Sequence, residues 1–554
     1  MSDAQHRPDF DVAIIGYGPT GATLAGLLGR AGIRVGVFDK ALTVFAQPRA
    51  VGFDHDAMRL FQRIGIADEL APHIALFSNA EYFGVDGQVI QRSRHMSPPY
   101  PLSWAPNYTC DQPGVESVLR AAVAAMPTVS VALGAELVSA GERGGSAVFA
   151  IRDAAGVIRE HTAAWLVGCD GASSAVRRLM GVALDSMDYD ESWIVVDVKV
   201  GEQALDRLPK TNVQYCEPER PCTFVICPGN HRRWEIMLVD GEPREGALSE
   251  ERLWQLLVRW LKPGEAQIWR AAAYRFHALI AREWRRGRLL LAGDSAHQTP
   301  PFLGQGMCQG IRDAGNLAWK LEAVLRGQAP DRLLDSYTEE RHPHVAETTR
   351  IAKALGEVVS ERDFPRARAR DARLLAKGGG EAPLLIRQEL IPGLTAGLIA
   401  RDTPRAGEVF PQPFVREGAG VARLMDELSG PCFRIVTDER CDTPGLHAAA
   451  ALHGFPVIVM RSGGAVAMQG DSAGGIRLRE VDTLLRDWFA ACGSHGALVR
   501  PDHYVFGTFL DATAGIALIE RAAHRLAESV QTEPESNYKA VTAVTGAAMQ
   551  QSVS

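Results

Sequence analysis

Three short turns along the sequence carry glycine and aspartate residues of the kinds found in ligand-binding turns. The first is GYGPTG, with glycines at positions 16, 18 and 21, the second is GCDG at 168–171, and the third is AGDSAH at 292–297. In the first turn, Gly16 permits a tight bend, Gly18 lets the backbone approach a pyrophosphate, and Gly21 lets the following helix pack closely. The start of that helix would direct unpaired N–H groups towards the anion. This spacing predicts phosphate-binding chemistry.

The residues around the first turn predict the strand, helix and second strand that such a turn needs. The apolar run 12–15 is typical of a parallel strand that is buried on both faces. Residues 22–31 are rich in Ala and Leu and predict a helix that ends at Gly32, and 33–38 predict a second strand. Asp39, at the end of that strand, can accept hydrogen bonds from an adenosine ribose. The order of these elements favours a dinucleotide site over a structural glycine turn.

The second and third turns each follow a short apolar strand, WLV and LLL respectively. They therefore place Asp170 and Asp294 at the carboxyl ends of strands, where ligands bind in open α/β sheets. His297 lies in the third turn with Asp294 and Ser295, but three residues of one turn cannot form the geometry of a hydrolase triad. We expect His297 to be a structural hydrogen-bonding residue.

The composition is that of an ordinary globular protein and excludes several classes. Of the 554 residues, 46% are hydrophobic and 23% are charged. The net charge of −7 gives no electrostatic basis for binding nucleic acid, and no apolar stretch approaches the ~18 residues of a membrane span. The nine cysteines form no CxxC and no zinc pattern, so we expect no metal site. The polar N-terminal segment lacks an apolar signal core and predicts a cytoplasmic protein.

The three turns, in this order, resemble those of the FAD-dependent aromatic hydroxylases, the flavoprotein monooxygenases of the para-hydroxybenzoate hydroxylase type. The resemblance covers most of residues 10–350. More specifically, the chain resembles the 3-(3-hydroxyphenyl)propionate/3-hydroxycinnamate hydroxylases. The stretches that carry this second resemblance are PRAVGFDHDAMR, WIVVDV, AGDSAHQTPPFLGQGMCQGIRDAGNLAWKL and SYTEERHPH.

The resemblance implies an FAD site and assigns residues to it. Arg49 and Gln112 would contact the ribityl-phosphate region, Asp294 the ribityl chain, and Asp170 both FAD and the nicotinamide cofactor. A helix opening at 304–307 would direct N–H groups towards the flavin ring, where a helix N-terminus favours negative charge by ~0.3–1 kcal/mol. The complete set of expected cofactor-binding residues is Gly16, Gly18, Pro19, Thr20, Gly21, Asp39, Lys40, Arg49, Gln112, Asp170, Gly293, Asp294, Gly304, Gln305, Gly306 and Met307.

The implied reaction is ortho-hydroxylation of a phenolic acid such as 3-(3-hydroxyphenyl)propionate to a catechol, in the catabolism of aromatic compounds. The co-substrates would be O2 and NADH or NADPH, with NADH favoured. The Pro300 carbonyl would orient the reacting oxygen. A base for the phenol proton should help, because the phenolate activates the ring more strongly. Phenol hydroxylases carry an Asp where this chain has Val51, so Asp54 and His55 are the nearest candidate bases.

Three arginines of the β-rich insertion are candidates for binding the substrate carboxylate: Arg220, Arg232 and Arg233. Two other interpretations stay open. One is a related flavin monooxygenase that acts on another phenol or a polyketide-like aromatic. The other is a non-enzymatic flavin-binding regulator. No nucleic-acid or membrane partner is expected, and a homodimer is one expected assembly.

The expected fold class is α/β, with a Rossmann-like FAD-binding domain, an inserted β-rich substrate domain and a C-terminal thioredoxin-like domain. The FAD-binding domain comprises 10–77, 107–184 and 277–360, and the substrate-binding sheet comprises 78–106 and 185–276. A linker is expected at 361–402, the thioredoxin-like domain at 403–530 and a polar tail at 531–554. Without a CxxC, the thioredoxin-like domain is expected to serve packing or dimer contacts rather than redox chemistry.

Overall fold

The elements expected around Gly16 lie at the centre of a parallel sheet in the computed structural model, which describes residues 7–239, 242, 246–461 and 475–528. The polar tail expected at 531–554 lies outside the described residues. In the described ranges the helices are α1 (Pro19–Arg30), α2 (His55–Ile64), α3 (Gln112–Ala124), α4 (Ala175–Leu179), α5 (Glu202–Leu205), α6 (Glu250–Leu257), α7 (Gly306–Leu325), α8 (Asp335–Ser360), α9 (Phe364–Lys377), α10 (Met425–Ser429), α11 (Pro444–Leu452), α12 (Leu484–Cys492) and α13 (Ala512–Glu528).

The strands of the same ranges are β1 (Phe10–Ile15), β2 (Val35–Asp39), β3 (Gly52–Asp54), β4 (Ile74–Leu76), β5 (Ala80–Phe83), β6 (Val89–Arg94), β7 (Asn107–Cys110), β8 (Val129–Leu133), β9 (Glu136–Arg143), β10 (Ser146–Arg152), β11 (Ile158–Gly168), β12 (Leu184–Val200), β13 (Asn212–Tyr215), β14 (Cys222–Ile226), β15 (His231–Met237), β16 (Ala266–Ala281), β17 (Arg285–Arg286), β18 (Leu289–Leu291), β19 (His297–Gln298), β20 (Leu384–Ile386), β21 (Phe414–Arg416), β22 (Arg423–Leu424), β23 (Arg434–Asp438), β24 (Val457–Met460), β25 (Ile476–Glu480), β26 (Gly496–Val499) and β27 (Val505–Phe509).

The first sheet contains the three turns. Its strand order is β17-β18-β11-β1-β2-β8, and β1 runs parallel to both β2 and β11, as does β11 to β18. Residues 12–15 of β1 are at most 5% exposed, because the strand is paired on both sides and its side chains are packed in the apolar core. The parallel direction brings the carboxyl ends of β1, β11 and β18 to one edge, which is where each of the three turns begins.

The second sheet is largely antiparallel and forms the opposite wall of the cleft described below. Its strand order is β19-β16-β12-β15-β14-β13-β5-β6-β20. One face packs against α6 and buries alternate residues such as Ile194, Phe224 and Trp234. Because side chains alternate along a strand, the neighbouring residues on each of these strands point to the opposite face of the second sheet, which is turned towards the first sheet.

The segment 361–402, expected as a linker, contains regular secondary structure that is integrated into the fold. It contains α9, and its strand β20 extends the second sheet by pairing with β6. Within α9, the buried side chain of Arg370 donates to the Cys216 carbonyl, and Asp371 accepts from the Val85 N–H. These contacts are distant in sequence, so the charged composition of the segment gave no sign of them.

The C-terminal region forms a third sheet in the order β22-β21-β25-β24-β23-β26-β27. The strand β23 is parallel to β24 and antiparallel to β26, and α11 and α13 pack on one face of the sheet while α12 packs on the other. Trp319 of α7 packs in the same apolar cluster as Phe433, so this region lies against the first domain. The thioredoxin-like assignment stays a prediction. None of the helices in the described part of the chain combines the length and apolar character that a bilayer span requires.

Candidate active site

The first turn and the second turn are in direct backbone contact. Gly16 has a φ of +101°, and a Cβ at this position would overlap the carbonyl oxygen of Cys169. The N–H of Cys169 in turn donates to the Ile15 carbonyl at 2.7 Å. Both the backbone conformation and the close approach therefore require glycine at position 16.

The third turn closes on the other two. The Ser295 hydroxyl donates to the Gly168 carbonyl at 2.6 Å. A Cβ at Gly293, where φ is +66°, would lie 2.6 Å from the Thr20 hydroxyl oxygen. The buried Asp313 carboxylate accepts from the Gly293 N–H and from the His297 ring, so His297 stabilises the turn as expected. The three turns thus converge at one edge of the sheet.

A cleft of about 1150 Å³ runs from these turns to the second sheet. Most of the predicted cofactor-binding residues line it, namely Gly16, Gly18, Pro19, Thr20, Asp39, Lys40, Arg49, Gln112, Asp170, Asp294, Gly304, Gly306 and Met307. The other three predicted cofactor-binding residues do not line the cleft and are packed behind its surface. Gly21 packs against the Gly16 carbonyl, Gly293 packs against Thr20, and the Gln305 side chain is buried against Asp54 and Arg312.

The residues at the turns fit a phosphate-containing dinucleotide. A Cβ at Gly18 would meet no atom within 4 Å, so this residue faces open space in the cleft. The helices α1 and α7 both begin at the cleft, and neither has a side chain that caps its first N–H groups. Uncapped helix N-termini are ready sites for anions, such as a pyrophosphate or an anionic ring.

The aspartates of the three turns also fit such a ligand. One Asp170 oxygen accepts from the N–H groups of Ala175 and Val176, but the other is buried without a hydrogen-bond partner. Asp294 projects into the cleft, where the surrounding walls limit its solvation and raise its pKa. Asp39 accepts from the Tyr17 N–H at 2.6 Å and lines the same cleft. These groups can accept hydrogen bonds from the hydroxyls of a bound cofactor.

The face of the second sheet that lines the cleft carries a row of polar side chains. Glu235 on β15 lies opposite Thr223 on β14, and Thr223 lies opposite Gln214 on β13. The Thr223 hydroxyl donates to the Gln214 side chain at 2.5 Å. Glu235 differs from its neighbours because no described group donates a hydrogen bond to it, and its nearest cation, Arg233, is 3.9 Å away. Glu235 lines the cleft, and burial raises its pKa. The protein therefore gives little stabilisation to the charged form of this carboxyl group.

Aromatic side chains form the remaining wall. Phe302 packs edge-on against Trp193 at 5.4 Å and against Phe276 at 6.3 Å between ring centroids. Phe276 and Phe302 line the cleft together with Phe77 and Tyr108. Such a wall suits a planar aromatic ligand and excludes water from its surroundings.

The family model described as "FAD binding domain" matches residues 9–352, which include all three turns. The chain belongs to the FAD-dependent aromatic hydroxylases. It is 36% identical to a "Probable NADH-specific resorcinol 4-hydroxylase" of Rhodococcus jostii, over 92% of this chain and 94% of that protein. It is 32% identical to a "3-(3-hydroxy-phenyl)propionate/3-hydroxycinnamic acid hydroxylase 2" of Burkholderia vietnamiensis, over 96% of this chain and 99% of that protein. Membership of this family argues against the non-enzymatic regulator.

Solved structures of similar fold support the same assignment of the fold. The flavin-dependent monooxygenase PieE, in complex with FAD and substrate, superposes on the hydroxylase with a TM-score of 0.76 at 20% identity, covering 94% of this chain and 100% of that one. A ternary complex of aklavinone-11 hydroxylase with FAD and aklavinone gives a TM-score of 0.75 at 21% identity, covering 95% of this chain and 100% of that one. A second family model, "HcaD C-terminal domain", matches residues 407–524 of the hydroxylase.

The structure does not bring the two candidate bases, Asp54 and His55, into the cleft of the hydroxylase. Asp54 caps α2 by accepting from the Ala57 N–H, and its second oxygen accepts from Arg312 at 2.6 Å. Burial opposes ionisation of Asp54, but the Arg312 guanidinium outweighs burial and lowers its pKa. Burial lowers the pKa of His55, whose side chain lies outside the cleft lining. Neither side chain lines the cleft, and Asp54 contributes to the packing of α2 as its cap and as a partner of Arg312.

Two of the three arginines expected to bind a substrate carboxylate lie away from the cleft. Arg220 forms an ion pair with Glu242, and Arg232 donates to backbone carbonyls that include that of Gly229. Arg233 does line the cleft, but it pairs with Asp197 at 2.7 Å. Burial opposes ionisation of Asp197, yet its hydrogen bonds from His231 and Arg233 prevail and lower its pKa to about 2. A neutralised arginine of this kind is a weak binder of a second carboxylate.

Arg233 and Gln112 shape the loop that covers the cofactor end of the cleft. Arg233 donates to the Arg49 and Pro48 carbonyls at 2.8 Å each. The Gln112 side-chain oxygen accepts from the N–H groups of Arg49 and Ala50. Pro300 is buried behind the wall, while its neighbours Thr299 and Pro301 line the cleft. The role of the Pro300 carbonyl stays a prediction.

Sequence reasoning missed several charged residues of the cleft, among them Glu235 and Arg387. The alternation in HRRWEIM could have indicated Glu235, since the buried Trp234 and Ile236 leave Arg233 and Glu235 on the opposite face. Arg387 lies in the segment expected as a linker, and no local pattern places it at the site.

Proposed function

We propose that this hydroxylase introduces a hydroxyl group ortho to that of a meta-substituted phenol, with NADH and O2 as co-substrates. The first candidate substrate is a phenolic acid such as 3-(3-hydroxyphenyl)propionate, and the product would be a catechol. One observation carries the proposal: a single cleft joins the three cofactor turns to an aromatic wall and to the open carboxylate of Glu235.

The three turns would hold FAD with its phosphates at the start of α1 and its ring at the start of α7. Asp39 would accept from the adenosine ribose, and Asp170 and Asp294 from the ribityl hydroxyls. Bound FAD, once reduced by NADH, supplies the chemistry that activates O2. The preference for NADH is supported by a relative that is named as NADH-specific.

Glu235 would accept the phenol proton in place of Asp54 and His55. The proton passes from the phenol oxygen to a Glu235 carboxylate oxygen, and the phenolate so formed enriches the ortho carbon in electrons. That carbon bonds to one atom of O2 and then loses its hydrogen as a proton, which restores the aromatic ring. The other oxygen atom leaves as water, and NADH supplies the two electrons. A raised pKa brings the base nearer to that of a phenol, which improves proton transfer.

The aromatic wall would hold the substrate ring and exclude water. Phe276 and Phe302 present apolar surface to the cleft, and the row of Glu235, Thr223 and Gln214 is the polar edge beside it. Excluding water strengthens the electrostatic contacts of the phenolate and limits unproductive loss of reducing equivalents to peroxide.

Resorcinol is the second candidate substrate, since a relative 36% identical to this chain is named as a probable resorcinol 4-hydroxylase. Position 4 of resorcinol is ortho to one hydroxyl and para to the other, so the same phenolate chemistry applies. The two candidates share a phenol that carries a further substituent in the meta position. The cytoplasmic location and the homodimer stay predictions.

The test is a substrate panel with purified, FAD-loaded enzyme. The panel contains 3-(3-hydroxyphenyl)propionate, 3-hydroxycinnamate, resorcinol and, as the matched control, 3-(4-hydroxyphenyl)propionate. NADH oxidation, O2 uptake and product structure are measured together. We expect one meta-substituted phenol to give one catechol per NADH, with the new hydroxyl ortho to the first. Peroxide as the sole product with every phenol, or a new hydroxyl meta to the first, would overturn the proposal.

A further inference from the structure

Arg387 is a cation of the cleft that comes from outside the cofactor domain. It starts a single 3-10 turn, Arg387–Leu390, directly after β20. Its guanidinium lies over the Phe77 ring, 5.1 Å from the centroid, and donates to the Leu303 carbonyl. A Cβ at Gly304 would lie 2.6 Å from the guanidinium, so glycine at position 304 leaves the space that Arg387 occupies.

The guanidinium of Arg387 lacks a carboxylate partner. Among the described residues, no Asp or Glu oxygen lies within 4.0 Å of it, and its buried Nε has no hydrogen-bond partner. Burial lowers the pKa of Arg387, and the nearby Tyr82, Cys308 and Asp54 offset this only in part. An arginine nevertheless stays protonated in proteins, so a positive charge faces the cleft without its counter-ion.

Three buried arginines elsewhere in this protein have the carboxylate partner that Arg387 lacks. Arg312 pairs with Asp54 at 2.6 Å, Arg233 pairs with Asp197 at 2.7 Å, and Arg500 pairs with Glu340 at 2.7 Å. Each of these cations is neutralised by a carboxylate of the chain itself. An open cation at a cavity wall is best completed by an anionic ligand.

We propose that Arg387 binds the carboxylate of the substrate and so selects phenolic acids over neutral phenols. The proposal rests on the proposed function, because it concerns the same cleft. It also fixes the direction in which the substrate lies. Arg387 follows β20 at the edge of the second sheet beyond Tyr82, and Glu235 lies on the opposite side of Gln214 and Thr223.

The geometry of the sheet supports this direction. Tyr82 is opposite Gln214, Gln214 is opposite Thr223, and Thr223 is opposite Glu235. Three strand spacings, roughly 14 Å at the usual inter-strand distance, separate the backbone of Glu235 from that of Tyr82, and the Arg387 side chain enters the cleft from beyond Tyr82. A molecule with a phenol at one end and a carboxylate at the other complements both charges. The reversed orientation would place the substrate carboxylate beside the Glu235 carboxylate, which like charges disfavour.

The test compares a phenolic acid with its neutral analogue in binding, without turnover. The ligands are 3-(3-hydroxyphenyl)propionate and 3-(3-hydroxyphenyl)propan-1-ol, and the readout is the Kd from the change in the flavin spectrum of FAD-loaded enzyme without NADH. The variants are Arg387→Gln, the charge-conserving Arg387→Lys, and Arg232→Gln as the control arginine outside the cleft. We expect Arg387→Gln to weaken binding of the acid about 30-fold or more and to leave the Kd of the alcohol within about twofold. Arg387→Lys should recover part of the loss, and Arg232→Gln should change neither Kd.

Equal weakening of acid and alcohol in Arg387→Gln would overturn the proposal, and so would equal Kd values for the two ligands in the native enzyme. A shift of the flavin reduction potential without a change in the acid Kd would also overturn it, because Arg387 would then act on the cofactor. Turnover is measured separately with NADH. A native enzyme that binds the acid but hydroxylates no phenol would contradict the proposed function and leave the binding result standing in favour of Arg387.

Discussion

Two regions of this protein bury charged side chains and treat them differently. Where the first domain meets the C-terminal region, each buried charge has a partner. Glu340 accepts from Lys320 and Arg500 at 2.7 Å each, and Asp426 pairs with Arg59 at 2.6 Å. In the described part of the cleft, Arg387 has no carboxylate within 4.0 Å, and the nearest cation to Glu235 is Arg233 at 3.9 Å, which is already paired with Asp197 at 2.7 Å.

The difference indicates what each region does. A buried charge without a close partner costs several kcal/mol of stability, and a ligand that pairs with it would offset this cost. Paired charges at the contact of two domains instead fix how the domains dock. We therefore propose that the charges of the first region stabilise the structure and that those of the cleft bind ligand.

The largest expected effect comes from breaking the cofactor end of the cleft. Gly16→Val would put a branched side chain at a φ of +101° and against the Cys169 carbonyl, so the first and second turns could not meet. We expect the purified variant to lack flavin absorbance and hydroxylase activity. Gly141→Ala is the control, because a Cβ at Gly141 meets no atom within 4 Å. A yellow, active Gly16→Val enzyme would disprove convergence of the turns on FAD.

The next effect concerns the open carboxylate. Glu235→Gln keeps the shape of the side chain but removes the acceptor for the phenol proton, so kcat for hydroxylation should fall about 10²–10⁴-fold. The melting temperature should stay equal or rise, because the variant removes an unstabilised buried charge. Rapid kinetics and thermal unfolding check the two statements. If Glu235→Gln has the native kcat, or if it loses much of its stability, Glu235 stabilises the structure and is not the base.

The paired region should respond in the opposite way. Glu340→Gln removes the common partner of Lys320 and Arg500 and should lower the free energy of unfolding by ~3–5 kcal/mol. The exposed pair of Glu136 and Arg152 provides the control, and Glu136→Gln should cost no more than ~1 kcal/mol. Denaturant unfolding measures both values. The kcat of folded, FAD-loaded Glu340→Gln should equal that of the native enzyme. A loss of kcat without a loss of stability would contradict a purely structural role for Glu340.

The smallest effect is the pH dependence of the paired region. Burial opposes ionisation of Asp426, but Arg59, His503 and Arg434 outweigh it and lower its pKa. Because the pKa in the folded state lies below the unfolded value of about 3.9, this stabilisation is complete above that value and declines as the pH falls below it. One such group contributes a slope of at most about 1.4 kcal/mol per pH unit. Unfolding curves should show a shallower acid decline in Asp426→Asn, and an unchanged slope would mean that Asp426 is not specially stabilised.

The cofactor end of the cleft was predictable from the sequence because its signals are local. The glycine spacing at Gly16 and the aspartates at 170 and 294 each follow directly from a buried strand, and parallel pairing alone brings them together. The substrate end was not predictable in the same way. Glu235 and Arg387 meet at one cleft only through the pairing of strands that are distant in sequence.

The choice of Asp54 as a base shows how a local signal can be misread. Its position just before α2 is that of a helix cap, and the structure uses it as one. Arg312, far along the chain, then completes the ion pair that closes Asp54 off from the cleft. Proximity in sequence to the loop at Val51 therefore said nothing about access to the substrate.

The most direct test of the account is oxygen labelling under single-turnover conditions. FAD-loaded enzyme is reduced with one equivalent of NADH, mixed with 3-(3-hydroxyphenyl)propionate and exposed to ¹⁸O2. We expect a catechol that carries one ¹⁸O atom ortho to the original hydroxyl, formed about 10²–10⁴-fold more slowly in Glu235→Gln and at the native rate in Glu340→Gln. An unlabelled catechol, or oxidation of NADH with no hydroxylated product from any meta-substituted phenol, would contradict it.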